Sequence, residues 1–90
     1  MPEIEWLPSP RSLTCMKGWV GSRILFSLIA THSTLTLNSR LPGRDGTPVK
    51  SETFDFKDPN TELQARAQAH ERATAMLAEF LNDLVTPRQE

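Results

Sequence analysis

The stretch that decides the fold is DPNTELQARAQAHERATAMLAEFLNDLV, residues 58–85. Asp58 followed by Pro59 is typical of a helix N-cap with proline at the first helical position, and Thr61 with Gln64 offers a second start as a capping box. Apolar residues then recur at the i, i+3, i+4, i+7 spacing of one helical face. They are Leu63, Ala67, Ala73, Leu77, Phe80, Leu81, Leu84 and Val85. The pattern predicts one long helix whose apolar face is covered by the preceding half of the chain.

A second, shorter apolar line runs along the same helix. It consists of Ala65, Ala69 and Met76. It lies about 120° or more from the main line at 3.6 residues per turn, where it is typical of plain surface, with helix-to-helix dimerisation as an alternative. Three polar residues, Arg66, His70 and Thr74, interrupt the first half of the main face, and we interpret them as its margin.

Residues 12–41 show the period-two alternation of strands, broken by two short turns. A hairpin turn at Gly21-Ser22 predicts the cross-strand pairs Val20 with Arg23, Trp19 with Ile24, Lys17 with Phe26, and Cys15 with Leu28. A second turn at His32-Ser33 predicts the pairs Leu28 with Leu37, Phe26 with Ser39, Ile24 with Leu41, and Ala30 with Leu35. Both turns place the apolar side chains on one common face.

A last strand is predicted for residues 49–57, after a connection rich in turn formers at residues 42–46. Phe54 and Phe56 share one side of this strand and are expected to point inward. Glu52 shares that side, and an inward charge is one way to protect an edge strand. The expected fold is an α+β domain: a four-stranded antiparallel β-meander with one C-terminal helix packed on one face.

The chain divides into three parts. Residues 1–11 contain Pro2, Pro8 and Pro10 and are expected to form an extended arm. Residues 12–86 form the single domain, and residues 87–90 form a short tail. Ile4 and Trp6 alternate with Glu3 and Glu5, a pattern that lays a short edge strand against the body or leaves Trp6 free to anchor a partner. Docking on the body is the preferred interpretation, because a large aromatic side chain is usually buried.

Composition limits the function more than it defines it. The chain has 90 residues, ten Lys and Arg against eleven Asp and Glu, and a formal net charge of -1. A balanced charge gives no field that would attract nucleic acid or a membrane surface. The single Cys15 permits no intramolecular disulfide, and the chain shows neither a signal sequence nor an apolar run long enough to span a bilayer. We therefore expect a cytoplasmic protein that does not enter a membrane.

No catalytic constellation is apparent. His32 and His70 are the only histidines, and no acidic pair has a spacing that places two carboxylates together for acid-base chemistry. Gly43 and Gly46 are not followed by the lysine and helix start of a phosphate-binding loop. We expect neither catalysis nor a cofactor or bound metal.

The solvent face of the predicted sheet is the candidate binding surface. Its expected members are Thr14, Met16, Gly18, Val20, Arg23, Leu25, Ser27, Ile29, Thr34, Thr36, Asn38 and Arg40. An apolar centre within a polar rim is typical of a protein-binding patch. Trp6, Leu25 and Ile29 are the expected anchors, and Arg23, Arg40 and Arg44 are the expected rim.

The order of elements, four antiparallel strands and then one helix, resembles the positive-cofactor and Whirly type of single-strand-binding domain. This resemblance implies a dimer built by the helix and a sheet face that binds bases through aromatic and basic side chains. On the expected solvent face, Arg23 and Arg40 supply the charge, but no aromatic residue is present.

In size and organisation the chain also resembles the small accessory and inhibitor proteins of phages and other mobile elements, including anti-CRISPR proteins. That resemblance implies a protein partner and a steric mechanism, in which the rigid sheet occupies the partner's working surface. Protein binding is the preferred prediction, and single-stranded nucleic-acid binding by a dimer is the alternative.

Overall fold

The computed structural model describes residues 2–42 and 50–87 and shows an α+β domain in which one helix packs on a five-stranded antiparallel sheet. The strands pair in chain order, and the elements are β1 (Glu5–Ser9), β2 (Ser12–Val20), β3 (Arg23–Ala30), β4 (Thr34–Ser39), β5 (Lys50–Asp55) and α1 (Pro59–Val85). The class, the meander and the C-terminal helix confirm the prediction. The predicted number of strands was wrong, because β1 forms from residues expected to belong to the arm.

Strand β1 forms one edge of the sheet and pairs with β2. Ile4, just before it, is buried, and Trp6 packs against the core from the side that α1 covers. Burial of these two apolar side chains favours docking of the segment over a free arm. Pro8 has no backbone N–H to donate, so this edge is poorly suited to pairing with a further strand.

The hairpin of β2 and β3 contains a bulge. Its turn lies at Gly21-Ser22 as predicted, with Gly21 at φ 60°, and the first pairs are Val20 with Arg23 and Trp19 with Ile24. The register then shifts, so that the next pairs are Gly18 with Phe26, Lys17 with Ser27, Met16 with Leu28, and Cys15 with Ile29. Leu25 is the extra residue that a bulge inserts into one strand.

Because of the bulge, the two faces of β2 are reversed relative to the prediction. Met16, Gly18 and Val20, expected on the solvent face, lie on the side of the helix, whereas Cys15, Lys17 and Trp19 point away from it. The predicted pairs of Lys17 with Phe26 and of Cys15 with Leu28 were therefore wrong. A shift of one residue moves every following side chain to the other face, because the side-chain period of a strand is two.

Strands β4 and β5 complete the core side of the sheet. Three predicted pairs of β3 with β4 are confirmed: Phe26 with Ser39, Leu28 with Leu37, and Ala30 with Leu35. The predicted pair of Ile24 with Leu41 was wrong, because the bulge at Leu25 places Ile24 on the other face. Phe56 is buried and Phe54 is half-buried against the core, as predicted. Glu52 points toward the helix, where Arg72 Nε donates a hydrogen bond to its Oε1 over 2.7 Å. This ion pair connects the second edge strand to α1.

Helix α1 begins as the sequence predicts. The Asp58 side chain accepts a hydrogen bond from the Thr61 N–H over 2.9 Å, and Thr61 Oγ1 accepts one from the Asp58 N–H over 2.9 Å. This reciprocal capping box satisfies donors that the first turn leaves unpaired. The hydrogen bond from the Thr61 N–H lowers the pKa of the Asp58 carboxyl, because it stabilises the carboxylate.

The buried face of α1 agrees with the predicted one only in part. Ala73 and Leu77 are buried, and Phe80 and Leu81 pack against the core, but the rest of the predicted line is exposed. The residues buried against the sheet are Ala65, Ala69, Ala73, Met76 and Leu77. Leu63, Leu84 and Val85 are exposed by 66%, 65% and 79%. At 3.6 residues per turn the buried line lies about 80° from the centre of the predicted one.

The alanines of α1 explain why the observed buried face is rotated from the predicted one. Ala65, Ala69 and Ala73 follow one another at intervals of four residues and place a smooth surface against Leu35 and Leu37, which are fully buried. Small side chains let a helix axis approach the sheet closely, so the core gains its volume from the strands. The line interpreted as surface is therefore the packing face.

Candidate protein-binding face

The side of the sheet opposite α1 is the candidate functional site, and we call it the outer face. Its members, by strand register, are Glu5, Leu7, Cys15, Lys17, Trp19, Ile24, Ser27, Ile29, Thr34, Thr36, Asn38, Ser51, Thr53 and Asp55. Within residues 2–42 and 50–87, no helix or strand packs on it. A five-stranded sheet with one bare face leaves a broad surface for contacts with other molecules.

One half of the outer face is apolar. Leu7 and Ile29 are each exposed by 42%, and Cys15, Trp19 and Ile24 are half-buried. Cys15 lies opposite Ile29, and Trp19 lies opposite Ile24, so these side chains occupy neighbouring strands. We call these five residues the apolar patch. Grouped apolar residues on a bare surface are characteristic of interaction sites, whereas scattered ones are ordinary.

The other half of the outer face is polar, and its side chains bond to one another. Ser51 Oγ donates to Asn38 Oδ1 over 2.6 Å, and the hydroxyls of Thr36 and Thr53 are 3.4 Å apart. Both contacts cross from β4 to β5. These side chains are already ordered by their neighbours, so a partner that touches them would restrict little additional rotamer freedom.

The predicted site residues fall in different places. Ile29 lies on the outer face as expected, but Leu25 packs against the core, because the bulge turns it away from solvent. Arg23 and Arg40 are exposed near one end of the sheet, where the Arg40 N–H donates to the Leu25 carbonyl over 2.9 Å. Arg44 lies outside the described residues.

Trp6 lies on the opposite side from the outer face. Its indole Nε1–H donates to His70 Nδ1 over 2.9 Å, and its ring centroid is 6.4 Å from that of Phe26. Because the indole N–H can only donate, His70 Nδ1 is the acceptor of this hydrogen bond. Trp6 therefore connects the edge strand β1 to the helix and is unavailable as an anchor on the outer face.

Sequence reasoning missed Leu7 and Trp19. The outward position of Leu7 could have been predicted, because Trp6 docks on the core side and successive residues of a strand point to opposite sides. The side on which Trp19 lies could not be predicted, because its orientation relative to Phe26 and Leu28 depends on the bulge in β3, for which the sequence gives no distinct signal. Gly18 was a partial signal for the orientation of β2, because a glycine within a strand often marks a place where another group approaches the backbone closely.

The described residues show no arrangement suited to binding a metal. Across residues 2–42 and 50–87, no three side chains of His, Cys, Asp or Glu are grouped as ligands would need to be. In the same ranges no helix has the length and apolar character needed to cross a membrane. Comparisons with protein-family models, with curated proteins and with solved structures found no match to this chain.

Proposed function

We propose that this chain is a non-catalytic protein-binding module whose outer face binds a partner protein. The observation that carries the proposal is the bare sheet face with Leu7 and Ile29 exposed by 42% each. These two residues, with Trp19 and Ile24 beside them, provide apolar surface whose removal from water stabilises a complex. Lys17 pairs with Leu7 and lies within this patch, between Cys15 and Trp19, where its ammonium group would meet an acceptor of the partner. The polar half supplies hydrogen bonds that orient the partner.

The mechanism we propose is steric occlusion. A sheet held by a continuous ladder of five strands is stiff, so it can cover a partner's working surface without rearranging. The ordered hydroxyl and amide groups of β4 and β5 lower the entropic cost of contact on the polar half. Inhibition of the kind found in small phage proteins would follow if the covered surface were the partner's active or nucleic-acid-binding site.

A second candidate function is single-stranded nucleic-acid binding, and Trp19 is the observation that favours it. The bulge brings this indole to the outer face, in the same strand as Lys17 and at the end of the sheet that has Arg23 and Arg40. Stacking of a base on an aromatic ring together with phosphate contacts is the usual means of such binding. Leu7 and Ile29 have no role in this alternative, which is why we prefer a protein partner.

The two functions are separated by affinity capture. The tagged protein is incubated with lysate of its source organism, with and without nuclease, and bound proteins are identified by mass spectrometry. Ile29→Glu places a charge in the apolar patch, and Gln68→Glu is the matched control on the exposed side of α1. Protein binding through the patch predicts one stoichiometric protein that survives nuclease, persists with Gln68→Glu and is lost with Ile29→Glu. A protein captured equally by Ile29→Glu contradicts the assignment of the site.

Nucleic-acid binding has its own direct test. In a Trp6→Phe variant the emission of Trp19 can be followed alone, because these are the only two tryptophans. Titration with an oligothymidylate of about 20 nucleotides should quench this emission if bases stack on the ring. Unchanged emission at low salt would exclude the second candidate.

A further inference from the structure

A row of polar side chains crosses the middle of the outer face. Lys17 of β2 lies opposite Ser27 of β3, and Ser27 lies opposite Asn38 of β4. We call these three residues the donor row. Neighbouring strands are about 4.8 Å apart, so the row is roughly 10 Å long. All three residues are half-buried, so each side chain is partly packed against its neighbours and partly open to a partner.

The donor row has N–H groups that no acceptor of the described residues satisfies. The Lys17 ammonium group takes part in no hydrogen bond or ion pair within residues 2–42 and 50–87. Asn38 Oδ1 is occupied, because Ser51 Oγ donates to it over 2.6 Å, and the Asn38 amide N–H groups remain to donate outward. The indole N–H of Trp19, two residues along β2 from Lys17, also lacks an acceptor in this part of the chain. The centre of the outer face is therefore positively charged and rich in donors.

Apolar side chains flank the charge of Lys17 on both sides along the strands. Trp19 pairs with Ile24 toward one end of the sheet, and Cys15 pairs with Ile29 toward the other. Two residues of a strand span about 6.8 Å, so an apolar pair lies about 7 Å from Lys17 in each direction. The apolar patch therefore surrounds one cation and is not a continuous apolar surface.

The carboxylate of the outer face that is nearest by register leaves Lys17 unpaired. Glu5 lies opposite Trp19, one strand away and diagonal to Lys17. Glu5 is exposed on an edge strand and forms no ion pair with any described residue. A surface contact between these two charges would contribute little in water. A partner that covers the patch must therefore supply the counter-charge itself.

We propose that the outer face recognises a segment of a partner protein that carries a carboxylate between two apolar side chains. This inference rests on the proposed function, because it requires that the partner cover the apolar patch. Removing an ammonium group from water without a counter-charge is strongly unfavourable, so a partner that covers Lys17 without supplying an acceptor binds poorly. The carboxylate of Asp or Glu supplies both the charge and lone pairs for a second donor of the row.

The spacing of the apolar pairs defines the segment further. In an extended segment the side chains of one face recur every two residues, at about 6.8 Å, which matches the step from Trp19 to Lys17 to Cys15. The segment that fits best therefore has an acidic residue with an apolar residue two positions before it and another two positions after it. A phosphate of single-stranded nucleic acid would satisfy the same donors but would leave Ile29 without an apolar contact.

A phage-displayed library of random peptides tests the inference on the full chain. The library is selected in parallel on the wild type, Lys17→Met, Lys17→Arg and Ile29→Glu, after circular dichroism has shown that all four fold alike. The wild type should select peptides with Asp or Glu between two apolar residues, and Lys17→Arg, which keeps the charge, should select the same class. Lys17→Met should select apolar peptides without the acidic preference, and Ile29→Glu should retain neither class.

Affinities of one selected peptide then measure the charge contact. Replacing its acidic residue by the corresponding amide should raise the Kd for the wild type at least about tenfold and the Kd for Lys17→Met by less than about twofold. Glu5→Gln is the matched control, because it removes the neighbouring charge of the outer face and should leave the preference for the acidic peptide intact.

The outcomes separate this inference from the proposed function. Wild-type peptides that depend on Ile29 but show no acidic preference would overturn the carboxylate and leave the proposed function standing. A selection that yields no peptide dependent on Ile29 would contradict both. Displacement of the acidic peptide by an oligothymidylate of about 20 nucleotides would assign the donor row to phosphates and also overturn the inference.

Discussion

Gly18→Ala should destabilise the protein, because the ring of Trp6 occupies the space that a side chain would need. A Cβ at position 18 would lie 2.8 Å from Trp6 Cζ3, 3.0 Å from Trp6 Cη2 and 3.0 Å from Phe26 Cβ. Carbon atoms pack at about 3.5–4.0 Å, so the indole must retreat by about 0.7 Å or more. Phe26 Cβ is fixed to the backbone of β3, which leaves the ring as the group that moves. That movement misaligns the hydrogen bond to His70 Nδ1, which is 2.9 Å long.

The expected loss follows from two opposing effects. Overpacking of this kind costs about 1–3 kcal/mol, and the lost hydrogen bond adds about 0.5–1.5 kcal/mol. Replacing glycine restricts the unfolded chain and returns about 0.4–1 kcal/mol. Together these ranges give a fall in the free energy of unfolding of about 0.5–4 kcal/mol, centred near 2 kcal/mol, with a fall in Tm of about 4–8 °C for each kcal/mol.

A double-mutant cycle checks whether the ring of Trp6 causes the loss of stability. Urea unfolding, followed by circular dichroism, is measured for Gly18→Ala in the wild-type chain and in a Trp6→Ala background. If the ring causes the loss, most of it should disappear in that background, giving a coupling of at least about 1 kcal/mol. The indole N–H resonance of Trp6 should also shift in the single variant. Equal losses in the two backgrounds would refute the docking of Trp6 over Gly18.

Two further predictions test the helix. Leu77→Ala should lower the free energy of unfolding by about 2–5 kcal/mol in urea titrations, because Leu77 is buried. Leu84→Ala should change it by less than about 0.5 kcal/mol, because Leu84 is exposed. A larger loss for Leu84→Ala than for Leu77→Ala would instead support the helix face expected from the sequence. The hydrogen bond from the Thr61 N–H lowers the folded pKa of Asp58, so the stability it contributes is present above the unfolded pKa and is lost as pH falls through the folded pKa. Asp58→Asn keeps a capping oxygen that does not titrate, so thermal melts below about pH 4 should show the wild type losing stability relative to this variant, and a constant difference would exclude the cap as the cause.

The sequence predicted the features set by local chemistry. The start of α1 at Asp58-Pro59 and the turn at Gly21-Ser22 depend on neighbouring residues alone, and both are confirmed. The register of β3 with β4 was also predictable, because the alternation of Leu35 and Leu37 leaves one face to bury.

The features that sequence reasoning missed depend on contacts between distant segments. The bulge at Leu25 lies in the pairing of β3 with β2, whereas the register of β3 with β4 is regular, so the turn residues of the two hairpins did not reveal it. The phase of α1 was missed because hydrophobicity favoured Leu63 and Leu84, whereas close packing on the sheet selected alanines such as Ala69. As a result, Trp19 replaces Leu25 among the candidate binding residues of the outer face.

The most direct test of the central claim is the affinity of the captured partner, once purified, for three forms of the chain: wild type, Ile29→Glu and Gln68→Glu. If the outer face is the binding site, Ile29→Glu should raise the Kd at least about tenfold, as loss of a residue central to an interface does, and Gln68→Glu should stay within about twofold of the wild type. Circular dichroism of the three forms must agree, so that the comparison concerns binding alone. An unchanged Kd for Ile29→Glu would contradict the account and place the binding site away from the apolar patch.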